Sequence, residues 1–253
     1  MREFSKPTGR IALKVILLCT VLLVVALALV FAQRRRVVGP PTQNQPVGSP
    51  GARTINVGPG GNLQRILDES RPGDTIILQA GVRFVGPFTL PVKPGGSFIT
   101  IQSSKLESMP AGQRVLPSQT QFMPRIVSAG LGEPAIKTAP GAHHYRLLGL
   151  EITSDDPKAV IYDLIRFGDG SEAQNSLAKV PHDLEVDRCY IHARDDHGLK
   201  RGIALNSSAT SITNSYIAGF KVEGQDSQAI GGWSGPGPFL IENNYLEAAG
   251  ENI

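Results

Sequence analysis

The side chains best suited to chemistry crowd into one stretch, HARDDHGLKRG, from His192 to Gly202. It holds His192, Arg194, Asp195, Asp196, His197, Lys200 and Arg201 within ten residues. Adjacent aspartates offer hard oxygen ligands of the kind that Ca2+ takes. A lysine can exchange a proton with a reacting group, and a guanidinium forks onto a carboxylate through two parallel hydrogen bonds. A solvated loop has the same composition. What separates the two readings is whether the fold converges these side chains, because loops on rigid scaffolds often carry sites.

Two other features are less promising. His143 and His144 stand together without Cys or His at ligand spacing in the flanking sequence, which disfavours a metal site. The glycines of GGWSGPGP, Gly231 to Pro238, precede no helix and so make no phosphate cradle; they read as a tight turn beside Trp233.

The elements that must position these residues follow from composition and pattern. The 253 residues include 28 Gly and 19 Pro, so turns are frequent and long helices cannot dominate. With 41% hydrophobic residues the chain is too apolar for disorder, and at 19% charged it lacks the charge density of a long coiled coil. The formal charge of +3 is misleading, since Arg2, Lys6, Arg10, Lys14, Arg34, Arg35 and Arg36 all flank one N-terminal apolar run. Without residues 1–36, which also contain Glu3, 18 basic side chains face 21 acidic ones, a net of -3. Phosphate binding needs a basic face, so this balance argues against nucleic acid as the partner.

Val15 to Ala32 are eighteen residues without a charge, and at a rise of about 1.5 Å each they reach across a bilayer core. Residues 1–36 fit either an uncleaved signal anchor, which would hold the protein to a membrane through this helix, or a signal peptide cut before Gln33. Both place the remainder outside the cytoplasm. Residues 37–53, rich in Pro, Gly and Gln, read as a linker. Cys189 is then the single thiol of the exported part, so no intrachain disulfide holds the domain and packing must.

Residues 54–253 are expected to be all-β. One short helix is legible, capped by Asn62, with Leu63, Ile66 and Leu67 on one face and Pro72-Gly73 stopping it. Thereafter four segments superpose without gaps: YRLLGLEI from Tyr145, LEVDRCYI from Leu184, TSITNSYI from Thr210 and FLIENNYL from Phe239. A second β-like run precedes each, aligned on Ile136, Ile165, Ile203 and Ile230 at spacings of 29, 38 and 27 residues. Units this short cannot bury their own cores, so neighbours must stack as a solenoid.

The repeat, the leading helix and the PGD turn at Pro72 to Asp74 together resemble the right-handed parallel β-helix proteins of the pectate lyase-like superfamily, over residues 54–253. The resemblance implies a single-stranded β-helix with a cap helix and a column of asparagines at one bend. Asn214 and Asn243 match that column, while Arg188 and Gly149 interrupt it, so a wider or hydrated bend is expected there. The sequence stops at Ile253 where another strand is due, and it reads as a C-terminally truncated fragment.

The resemblance also implies polysaccharide chemistry. Lyases of the superfamily remove the proton beside a uronate carboxylate while a cation holds that carboxylate. On that analogy Lys200 is the candidate base, Arg201 the clamp, and Asp195 and Asp196 the ligands of a Ca2+ ion. Alternation along the repeat strand points Lys137, Arg166, Ala204 and Gly231 outward in one column, with Ala139, Gly168, Asn206 and Trp233 in a second. Like charges on neighbouring strands repel unless an anion bridges them. Lys137, Arg166, Asn206 and Trp233 are thus the expected lining of a groove for an acidic polysaccharide. The expected protein is an exported β-helix that binds and cleaves such a glycan by β-elimination, hydrolysis being the lesser option. The alternative is a non-catalytic glycan-binding or structural surface rod. No protein partner is indicated.

Overall fold

A computed structural model describes residues 51–156, 160–194 and 198–253. The membrane run and most of the linker lie outside the described residues, as do Asp195, Asp196 and His197. Among the described residues no helix is long and apolar enough to cross a membrane.

The chain enters through β1 (Thr54–Val57) and helix α1 (Leu63–Glu69), then winds through successive turns of three short strands each. The first turn is β2 (Thr75–Leu78), β3 (Arg83–Val85) and β4 (Phe88–Leu90); the second is β5 (Ile99–Ser103), β6 (Arg125–Ser128) and β7 (Ile136–Thr138). The third is β8 (His143–Leu148), β9 (Glu151–Ser154) and β10 (Ile161–Phe167). The fourth is β11 (His182–Asp187), β12 (Tyr190–His192) and β13 (Leu199–Leu205). Then follow β14 (Ser208–Thr213), β15 (Tyr216–Phe220) and β16 (Gln228–Gly231), and finally β17 (Phe239–Glu242) and β18 (Tyr245–Ala248). Corresponding strands pair in parallel, giving sheet 1 (β1, β2, β5, β8, β11, β14, β17), sheet 2 (β3, β6, β9, β12, β15, β18) and sheet 3 (β4, β7, β10, β13, β16). A mostly β chain in three parallel sheets is consistent with a parallel β-helix.

The repeat predicts the register correctly. Ile136, Ile165, Ile203 and Ile230 are neighbours on consecutive strands of sheet 3 and are at most 2% exposed. Phe88 extends the column one turn further back. Burying an aliphatic side chain of this size contributes about 1.5–3 kcal/mol, so such columns supply the cohesion that the chain lacks in disulfides. Helix α1 is capped as expected, the Asn62 side chain accepting from the Arg65 amide at 2.9 Å, and it buries Leu63 and Leu67. The PGD turn ends in Asp74, wholly buried, which accepts from the Arg53 guanidinium and from the Arg53 and Arg71 amides. Burial works to raise this carboxyl, but those hydrogen bonds outweigh it and hold Asp74 below the usual aspartate range.

The bend between sheets 1 and 2 differs from expectation. Gly149, Arg188, Asn214 and Asn243 all take left-handed φ of 50° to 64° there, so the backbone is the same whichever side chain stands in the column. Asn243 donates to Asn214 Oδ1, and Asn214 to Asp187 Oδ1, each at 2.8 Å. The bend is neither wide nor open where the asparagines stop. The long connection from β5 to β6 lies across it, and Met109, Val115 and Met123 form a second small core with Tyr190 and Tyr216. Arg188 Nη1 donates to the Met109 carbonyl at 2.7 Å. A β-carbon at Gly149 would lie 2.6 Å from the Met109 methyl, so glycine leaves room for the covering segment.

Candidate functional site

Sheet 3 breaks strict alternation on three of its turns. Leu164 and Ile165 are both buried, as are Ala135 and Ile136, and Ala229 and Ile230. Two consecutive inward residues return the residues before and after them to the outside, so Asp163 and Arg166 share the outer face. The same bend aligns Asp163, Arg201 and Gln228 on adjacent strands.

Above this face is a cleft of about 490 Å³ whose lining includes Lys137, Arg166, Lys179, Asn206 and Trp233. One wall is the connection between β10 and β11. Gln174 pins that wall to the turns above, donating to the Asn206 carbonyl at 2.9 Å and the Ser234 carbonyl at 3.1 Å, while its own oxygen accepts from the Asp169 amide. The wall turns at Asp169, whose carboxylate accepts from the Ser171 amide at 2.8 Å. That bond, aided by the Ser171 hydroxyl, holds the carboxyl below its ordinary value.

The four residues expected to bind substrate, Lys137, Arg166, Asn206 and Trp233, all line this one cleft. Their states differ from the simple picture of two repelling cations. Lys137 and Arg166 are strand neighbours, yet each has its own carboxylate: Lys137 Nζ lies 3.1 Å from Glu133, and Arg166 Nε lies 3.3 Å from Asp163. No bridging anion is needed to hold them side by side. Asn206 is 1% exposed, and its side-chain oxygen accepts from the Trp233 and Ser234 amides at 2.9 and 3.0 Å. Through that oxygen it positions Trp233. Trp233 remains 57% exposed, its indole donating to the Gly170 carbonyl at 2.9 Å. A side chain at Gly170 would strike that ring, an added β-carbon falling 2.3 Å from it.

The dense stretch from His192 to Gly202 is not one loop. His192 ends β12 on sheet 2, where its Nε2 meets Glu151 at 3.0 Å and its ring stacks on Tyr190. Lys200 and Arg201 lie within β13 on sheet 3. Alternation sends these two neighbours to different places. Lys200 sits over the Tyr162 ring, 5.7 Å from its centroid, and is not part of the cleft lining. Arg201 is 8% exposed, with Nη1 2.5 Å from Asp163, Nη2 2.9 Å from Gln228 and its guanidinium over Trp233 at 4.6 Å. So fastened, Arg201 supports the tryptophan from below and is not a mobile clamp. Asp195 and Asp196, the expected Ca2+ ligands, lie outside the described residues.

Sequence reasoning passed over Asp163, Gln174 and Lys179. Strict alternation from Ile165 sends Asp163 inward, and only the bend reverses it. A pair of adjacent apolar residues at three of the four repeats, Ala135-Ile136, Leu164-Ile165 and Ala229-Ile230, is the available signal.

No family model and no curated protein matches this chain. Among solved structures it is similar to the crystal structure of an alginate lyase from Paenibacillus sp. str. FPU-7. The two chains are 17% identical, the match covers 77% of this chain and 76% of that one, and the TM-score is 0.44. A likeness of that size leaves the chemistry of the cleft to its own side chains.

Proposed function

We propose that the cleft on sheet 3 binds an acidic polysaccharide, and that β-elimination at a uronate is the reaction it serves. The observation that carries this reading is the union of Lys137, Arg166 and Lys179 with a half-exposed tryptophan in one open cavity. A pyranose ring lays its apolar face on an indole, while cationic side chains meet its carboxylates. Beyond the cations the cleft is lined by Gly168, Gly170, Ser171 and Ala173, whose small side chains leave room for a sugar. Lys200 stands outside the cleft, so Lys137 or Lys179 is the base.

A second reading is favoured by one feature. Lys137 and Arg166 already pair with Glu133 and Asp163, an arrangement suited to a non-catalytic glycan-binding surface. Incubating the full chain with a panel of polyuronates, with and without Ca2+, separates the two. Absorbance from the unsaturated product supports elimination. Binding without product supports the second reading, and neither binding nor product on any polyuronate removes both. The Ca2+ dependence also tests Asp195 and Asp196 as ligands. We further propose that residues 1–36 carry the domain to the outer side of a membrane, which a reporter fused after Ile253 tests by its activity inside or outside the cell.

A further inference from the structure

The partners missing from the sequence around His143 and His144 come from the next turn of the chain. Strands β8 and β11 pair so that His143 stands beside His182, and Tyr145 beside Leu184. Tyr145 and Leu184 point into the core at 1% exposure. Just before them His144 and Asp183 take left-handed φ of 59° and 52°. This turn interrupts the alternation, so both residues of each pair stay at the surface. Ala209 repeats the backbone on β14 with φ 43°; the turn therefore belongs to the repeat, and only two of its copies carry ligand-type side chains.

We propose that His144, His182 and Asp183 bind one borderline divalent transition-metal cation of the Zn2+ class. Their ligand atoms all lie within 4.8 Å of one another. Asp183 Oδ2 is 2.6 Å from His182 Nδ1 and 3.9 Å from His144 Nε2. Bonds of about 2.0–2.1 Å in a tetrahedral shell set ligand atoms about 3.3 Å apart, a value between those two distances. Small side-chain rotations suffice to close the shell.

Two imidazoles and one carboxylate suit zinc, copper or nickel, whereas Ca2+ and Mg2+ want an all-oxygen set. The surroundings fit as well. A metal-bound histidine donates its other ring N–H to a fixed partner, and His144 Nδ1 lies 2.8 Å from His143 Nδ1. His143 is itself held by stacking on His182, centroids 4.8 Å apart. The His182 and Asp183 side chains are 40% and 39% exposed, which gives an ion access and leaves a fourth position open. The site is on sheet 1, and an ion there would fasten two turns of a domain whose described cysteine is free.

The test uses the full chain after dialysis against a chelator. Zn2+ titrated against a chromophoric indicator should bind with one equivalent per chain, and Co2+ should give the intense visible bands of tetrahedral coordination. His144→Asn and Asp183→Asn keep a residue that tolerates left-handed φ, so they spare the backbone. Each should weaken Zn2+ binding at least about tenfold, with the circular dichroism spectrum unchanged. Four results would overturn the proposal: no Zn2+ binding below about 100 μM, weak octahedral-type Co2+ bands, a thiolate charge-transfer band pointing to cysteine, or unaltered binding in the His144→Asn Asp183→Asn chain.

Discussion

Two columns of polar side chains run along this molecule, and the same repeat treats them in opposite ways. At the bend between sheets 1 and 2 the polar groups are used within the fold: Asn243 on Asn214 and Asn214 on Asp187 from turn to turn, and Arg188 on its neighbour Asp187 and the Met109 carbonyl. The connection from β5 to β6 then covers the bend. On sheet 3 the neighbours Lys137 and Arg166 face a cleft, while the β10 to β11 connection stands off as a wall. A repeated polar position is structural when its atoms are consumed along the column. It becomes a site when the adjoining loop leaves space above it.

The largest expected effect comes from emptying the cleft of charge. Lys137→Ala combined with Arg166→Ala should lower polyuronate affinity about 100-fold, or about 2.7 kcal/mol, in a calorimetric titration. The thermal midpoint should stay within a few degrees of the parent, because both side chains are partly exposed and their ion pairs contribute little to folding. Binding by the parent should also weaken as salt is raised. A collapse of stability in this variant would erase the contrast between the columns.

The converse substitution is Asn214→Ala. It removes hydrogen bonds on both sides of the ladder and places alanine at φ 50°, so unfolding in urea should show a loss of about 2 kcal/mol. Glycan affinity should be unchanged. Gly170→Ala is intermediate, since its new methyl displaces the Trp233 ring. It should cost about tenfold in affinity, about 1.4 kcal/mol, with tryptophan fluorescence shifted and stability held.

Much of this architecture is legible in sequence because parallel stacking repeats one inward position per turn, and a slip of one residue would turn every aliphatic outward. Ile136 through Ile230 could therefore be aligned by eye, and with them the outward Lys137 and Arg166. What could not be read depends on departures from alternation. The bend at Leu164-Ile165 brings Asp163 outside, and left-handed φ at His144 and Asp183 gathers the adjacent His143 and His144 with His182 from the next turn. Composition also misleads where neighbours diverge. Lys200 and Arg201 look like a catalytic pair, yet one strand sends the first to Tyr162 and the second beneath Trp233.

The finest test of the comparison uses Cys189, which lies just inside the bend column. Its thiol is wholly buried, donates to the Leu147 carbonyl at 3.4 Å, and is pushed up to about 12 by burial. The folded value is above the ordinary 9.0, so the native thiol stays protonated where the unfolded one ionises. That difference favours the folded state below about pH 9 and is lost progressively between about 9 and 12. At pH 8 a charged disulfide reagent should therefore reach Cys189 only through opening of the domain. Labelling should quicken about 30-fold in Asn214→Ala, as a loss of about 2 kcal/mol implies, yet change by no more than about twofold in the Lys137→Ala Arg166→Ala chain. Faster labelling in the cleft variant would mean that the two columns open together, and that sheet 3 lends the bend part of its rigidity.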